Sequence, residues 1–238
     1  MPWANAKRFY KDAGYQAAGG GFTLTLDGRP AKTPEGNPLV LATERLAQAV
    51  AREWADQDGD IRAEAMPITG LSCTAIDRVK NGRQAIIDHT VKYAATDLLC
   101  YRAEGPQELK RHQQAQWQPL LDWAGDKFGA RLAATEGIVP QEQSKAALEK
   151  LRRAVEALDD LQLTALASAT QASGSLIIGL ALVHGHITPK EAAAAAQLDE
   201  TWQNEKWGED PEQAERLEAL KKEIGAAAAL IKLTDDFI

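Results

Sequence analysis

The chain has 238 residues, 45% hydrophobic and 26% charged, enough apolar content for one large domain or two small ones with a real core. Its net charge of −7 argues against a nucleic-acid binder, which needs basic surface to displace phosphate counterions. Only Cys73 and Cys100 occur, far apart and in apolar contexts, so there is no disulfide framework and no zinc spacing, and both read as core thiols.

The start, MPWANAKRFY, has no apolar signal core, and the longest strongly apolar run, Leu176 to Val183, is far short of the ~20 residues that span a bilayer. A soluble chain in a reducing compartment is expected, without stable membrane insertion. The first forty residues read as β-structure. Phe22 to Leu26 alternates strictly, and Asp27-Gly28 follows as a hairpin turn signal. Pro30, Pro34, Gly36 and Pro38 then punctuate short extended pieces before Leu39-Val40-Leu41.

From Thr43 the period turns helical. Thr43 is placed to cap a helix whose stripe is Leu46, Ala47, Val50, Ala51 and Trp54. Helices are then predicted over Ile68–Val79, closed by Asn81-Gly82, and from Arg83 towards Tyr101. Others follow over about Pro106–Phe128, Ser144–Leu158, Leu161–His184, Pro189–Trp207 and Pro211–Leu233, with Pro189 and Pro211 at first-turn positions. Gly174 to Leu182 is apolar on all sides, which predicts a helix surrounded by other helices at the centre of a bundle. The expected division is 1–66, β-rich with the first helix, and 67–238, helical.

Chemistry is sparse. No phosphate-cradling glycine motif is present, and Gly19-Gly20-Gly21 reads as a flexible loop before a strand. His184-Gly185-His186 lacks a nearby carboxylate or cysteine to complete a metal site and reads as a helix end. Tyr93, Asp97 and Tyr101 are spaced i, i+4, i+8, with Arg102 next. On one helix that strip suits either acid/base work on a small molecule or a buried polar network fixing helix packing, the commoner use. Trp54 is assigned to the core or a domain junction.

Acidity is concentrated late in the chain. From Thr188 onward there are 12 acidic and 6 basic residues, net −6, against 22 and 21, net −1, before it. The stretch LDETWQNEKWGED, Leu198 to Asp210, holds two tryptophans among five carboxylates and one lysine. On a helical wheel Leu198, Trp202, Glu205 and Glu209 share one side and Trp207 lies nearly opposite. One ring can therefore enter a core while the other meets solvent or a partner, a pattern typical of protein-binding patches; both rings packed inside, with the acids merely solvated, is as good a reading.

Several blocks, taken in order, carry a family resemblance: Arg8-Phe9-Tyr10-Lys11, Leu26 to Pro34 (LDGRPAKTP), Glu53-Trp54, Met66 to Thr69 with Thr74 to Asp77, Tyr93 to Ala103 (YAATDLLCYRA), Thr135 to Ile138, Gly174 to Leu182, and LDETWQNEKWGED. Spread over nearly the whole chain, they resemble the assembly chaperones of the F-type ATP synthase F(1) sector that act on the alpha subunit. The resemblance implies an α+β fold, with a small N-terminal antiparallel β-rich domain before a larger all-helical C-terminal one. It also implies a non-enzymatic role without cofactor or metal, in which the free alpha subunit's beta-facing surface is shielded until beta arrives. Mitochondrial members carry an import presequence, absent here, so a bacterial cytoplasmic chain or a matured matrix form is expected, monomeric when free. Alanine stands at Ala42 where the family commonly has proline. Within this frame Glu200, Trp202, Glu205 and Trp207 are the expected partner-binding residues, and Tyr93, Asp97, Tyr101, Arg102 and Trp54 the expected structural network.

Overall fold

Strict alternation in the N-terminal segment becomes a small antiparallel sheet in the computed structural model, which describes residues 6–137, 141–208 and 210–235. Strand β1 (Ala13–Ala18) pairs along its length with β2 (Gly21–Leu26), whose other edge holds β3 (Arg29–Pro30) and β4 (Val40–Leu41). The β2–β3 connection is Asp27-Gly28 alone, with φ of 49° and 76°. Two consecutive positive φ values match the right-handed twist of the flanking strands, and Asp followed by Gly tolerates them best.

Helix α1 (Glu44–Ala55) starts where expected: Thr43 Oγ1 accepts from the Leu46 amide at 3.1 Å. Leu46, Ala47, Val50, Ala51 and Trp54 are all buried, and the helix packs on β1 and β2. The same Thr43 hydroxyl donates to the Leu233 carbonyl at 2.5 Å. Helix α2 (Pro67–Thr74) continues into a π-helical turn, Ala75–Val79, and α3 (Lys80–Lys92) contains a non-helical Gly82 (φ −126°), the break expected at Asn81-Gly82.

The remaining described elements are α4 (Gln107–Phe128), α5 (Lys145–Glu156), α6 (Asp160–Ser173), α7 (Leu176–Val183), α8 (Pro189–Ala196), α9 (Leu198–Trp207) and α10 (Pro211–Thr234). A short parallel pair, β5 (Tyr101–Arg102) with β6 (Thr135–Glu136), interrupts the helices. The fold is thus α+β, a small antiparallel sheet followed by mostly helix. Two compact units emerge: one made by 6–83, 160–164 and 229–235, the other by 84–159 and 165–228 of the described residues.

Three expected helices are broken, each at a residue whose conformation or hydrogen bonding departs from the helical ladder. The helix from Arg83 ends at Lys92; a 3₁₀ turn covers Tyr93–Thr96, and Asp97 leaves helical space (ψ 132°) to cap the Leu99 amide. Tyr93, Asp97 and Tyr101 therefore do not form one helical strip. The helix expected over 161–184 is two, divided at Gly174 (φ 71°), after which Ser175 caps α7 by accepting from the Ile178 amide at 3.0 Å. The helix expected over 189–207 divides at Gln197, whose side chain donates to the Leu217 carbonyl at 2.6 Å. Every residue of α7 is buried. It packs on α4 and α8, and at Gly179 it lies so near α6 that an added Cβ would stand 2.6 Å from Thr170 Oγ1.

Candidate functional site

Helix α9 is held by polar contacts to the two helices beside it. Asp199, half-buried, accepts from Gln113 Nε2 of α4 at 2.8 Å; burial pushes its carboxyl up, and the Gln113 bond opposes that. Gln113 also accepts from Arg102 through its carbonyl (2.6 Å) and from the Ala103 amide through Oε1 (2.8 Å). The Arg102 guanidinium lies 5.2 Å from the Trp117 ring centroid, and Trp117 donates to the Ala195 carbonyl at 2.8 Å. Lys206 pairs with Glu108 at 3.0 Å, with its ammonium 5.6 Å from the Trp202 ring centroid. Glu200 meets Arg216 of α10 at 3.4 Å.

The two tryptophans have different environments. Trp202 is buried, and its Nε1 has no hydrogen-bond partner among the described residues. Trp207, 74% exposed, is the most exposed large apolar side chain described. Yet the rings are not opposed: they meet edge-on with centroids 5.6 Å apart. A five-residue offset puts them about 140° apart around the helix, yet the two large indoles reach each other at its C-terminal end. Glu205, also exposed, makes no ion pair among the described residues. Glu209, counted on the wheel, lies outside the described residues. What remains exposed on α9 is an apolar plate, Trp207, and a carboxylate two residues earlier, Glu205, without an ion pair among the described residues. Sequence reasoning missed the supports, Gln113, Glu108 and Arg216, because they come from other helices and sit in ordinary polar contexts.

The expected network residues divide. Asp97 is fully enclosed; it accepts from Ser175 Oγ (2.7 Å), the Ile177 amide (3.1 Å) and the Leu99 amide (3.1 Å). Desolvation outweighs these bonds and lifts its carboxyl to about 6. Its location ties YAATDLLCYRA to the Gly174–Leu182 block and leaves no opening for a substrate. Tyr93 stacks edge-on against His89 (5.9 Å), and Tyr101 sits in β5. Trp54 is buried with its ring 5.5 Å from Tyr10, whose hydroxyl donates to the Trp54 carbonyl at 2.6 Å.

Other blocks pair in the same manner. Glu53 accepts from the Ile68 and Thr69 amides (2.8 and 2.7 Å) and from Thr69 Oγ1, so Glu53-Trp54 caps the helix opened by Met66-Pro67-Ile68-Thr69. Asp77 accepts from Thr33 Oγ1 (2.6 Å) and Asn37 Nδ2 (2.8 Å), fastening the loop after LDGRPAKTP to the π turn. Each partnership satisfies amides that would otherwise be orphaned at a helix start or turn. Cys73 and Cys100 are buried and their thiols are pushed up to about 12, the behaviour of inert core thiols. Among the described residues no group of three or more histidines, cysteines or carboxylates is placed to hold a metal, and no helix is long and apolar enough to cross a membrane.

The chain as a whole is similar to known proteins. Atp12 from Paracoccus denitrificans is 38% identical and superimposes with a TM-score of 0.90, covering 97% of this chain and 99% of that one. A putative chaperone from Agrobacterium tumefaciens is 37% identical with a TM-score of 0.91, covering 96% of this chain and 86% of that one. The mitochondrial protein atp12 of Schizosaccharomyces pombe is 27% identical over 250 residues, 99% of this chain and 86% of its own length. The model of the ATP12 chaperone protein family matches residues 7–125. On these grounds the chain belongs to the ATP12 chaperone family.

Proposed function

We propose that this assembly chaperone binds the free alpha subunit of the F(1)-ATPase and covers its beta-facing surface until the alpha/beta ring forms. Ring subunits expose large apolar faces before their neighbours arrive, and such faces aggregate. The observation that carries the reading for this chain is the α9 surface, which displays an exposed Trp207 and an exposed Glu205 with no ion pair among the described residues. Glu200 and Glu205 would meet donors on the client, Trp207 would supply apolar contact, and the buried Trp202 would hold the Trp207 ring from beneath.

The alternative, a small-molecule enzyme built on the Tyr93–Asp97–Tyr101 strip or on the acids of 198–210, is not favoured: the strip is broken, Asp97 is enclosed, and Asp199 and Glu200 are engaged by Gln113 and Arg216. The test is a side-by-side comparison of Glu205→Lys, Glu200→Lys and Trp207→Ala. Glu205→Lys should leave the melting temperature unchanged, because an exposed carboxylate contributes little to stability. At a desolvated interface it should cost about 2–5 kcal/mol of client binding. Capture of alpha subunit by the tagged chain, with and without beta, reads the effect. Undiminished capture by folded Glu205→Lys and Trp207→Ala removes α9 from the interface.

A further inference from the structure

A second surface lies in the unit that contains the sheet. Residues 8–11 are pinned there by their backbone. Arg8 donates from its guanidinium to the carbonyls of Tyr10 (3.2 Å), Lys11 (2.6 Å), Ala55 (3.2 Å) and Gln57 (2.6 Å), and from its amide to Gly59 (2.7 Å). Tyr10 is buried and anchored on Trp54. Between two fixed neighbours Phe9 is displayed, 65% exposed, meeting the Tyr10 ring edge-on at 5.3 Å. An aromatic ring turned outward on a rigid mount contributes nothing to the core.

Phe9 borders a hollow of about 490 Å³ that is also lined by the β2–β3 hairpin and the residues after it: Leu26, Asp27, Arg29, Pro30, Ala31 and Lys32. That volume falls among pockets that take a small ligand or a few side chains. The charges are unequal. Asp27 is committed to the backbone, accepting from the Lys11 and Asp12 amides at 2.9 Å each. Arg29 and Lys32 are exposed and make no ion pair among the described residues. In a chain of net charge −7 this is a cationic, aromatic hollow.

We propose that it is a second docking site, taking an acidic segment of the client polypeptide that also carries an aromatic or branched aliphatic side chain. Phe9 and Leu26 hold the apolar group, while Arg29 and Lys32 pair with the carboxylates. Complementary charge sets the orientation and the rate of capture. The proposal rests on the reading of the chain as a client binder, but its probe is independent of the α9 surface. That probe is a fluorescein-labelled peptide alternating aspartate and glutamate with phenylalanine and leucine, titrated into the full chain, beside a control with lysine at the acidic positions.

The wild-type chain should bind the acidic peptide and ignore the lysine control. Phe9→Ala and the double variant Arg29→Glu, Lys32→Glu should each weaken binding about tenfold or more, with melting temperatures unchanged and with binding falling at high salt. Glu205→Lys should leave peptide binding intact. No binding by the wild type, or equal binding by all folded variants, overturns the proposal. So does loss confined to sedimentation with vesicles containing phosphatidylglycerol, which would make the hollow a lipid-headgroup site. Undiminished alpha-subunit capture by folded Glu205→Lys and Trp207→Ala, with peptide binding preserved, overturns the α9 reading and leaves this one standing.

Discussion

At the scale of single residues, Asp97 stores a measurable tension between solvation and geometry. Burial raises its carboxyl from 3.8 to about 6 despite several hydrogen bonds to it. A carboxyl raised on folding binds protons more tightly in the native state, so its contribution to stability is complete below the unfolded pKa and is lost as pH rises through 6. The window is about pH 4 to 6, and the two-unit shift corresponds to roughly 2–3 kcal/mol. Asp97→Asn keeps the shape without the titration. Its destabilisation relative to wild type should therefore be about 2 kcal/mol larger at pH 4.5 than at pH 7, read from urea midpoints at both. A pH-independent difference would show that Asp97 is held ionised by its donors. Trp54 makes a simpler case. Buried against Tyr10, it should cost about 3–5 kcal/mol as Trp54→Ala. A variant that melts like wild type but no longer holds its client would place Trp54 at an interface.

Elements show which signals a sequence carries and which it conceals. The α1 stripe, the Thr43 cap, the Asp27-Gly28 turn and the apolar α7 were legible because each rests on near neighbours in the chain. The divisions at Asp97, Gly174 and Gln197 were not, because hydrophobic periodicity runs through them. Two depend on distant partners, Asp97 on Ser175 and Gln197 on Leu217. Gly174 before Ser175 did offer a local warning, a left-handed residue followed by a capping hydroxyl ahead of an apolar run. In the candidate site the exposed tryptophan could be anticipated, but not which of the two it would be, nor that the rings would touch. Close approach of α6 and α7 gives this scale its own test. In Gly179→Ala the new methyl would lie 2.6 Å from Thr170 Oγ1 and 2.9 Å from Leu166 Cδ1. Overpacking of this kind costs about 1–3 kcal/mol, so thermal unfolding should move down accordingly. Adding Thr170→Ala, which removes a buried hydroxyl with no partner among the described residues, should recover part of the loss. Equal stability of the single variant and wild type would mean the helices part freely.

On the scale of the whole molecule, the unit holding the sheet draws on three separated stretches, 6–83, 160–164 and 229–235. Arg83 pairs with Asp160 at 2.6 Å, and Arg45 donates to the Asp235 carbonyl at 3.3 Å beside the Thr43–Leu233 bond. A chain ended after Ala228 should show faster amide exchange in β2 and α1 while α7 keeps its protection, because it removes partners from one unit only. Exchange accelerated equally in both would mean that the two units open as one. The Thr43 hydroxyl and the carbonyl it reaches are 190 positions apart. On a ribosome adding about 5–20 residues per second, that bond must wait roughly 10–40 seconds after Thr43 is made. The unit that holds the sheet is therefore among the first parts synthesised and among the last completed, and until then its N-terminal stretch stands with only α1 packed against the strands.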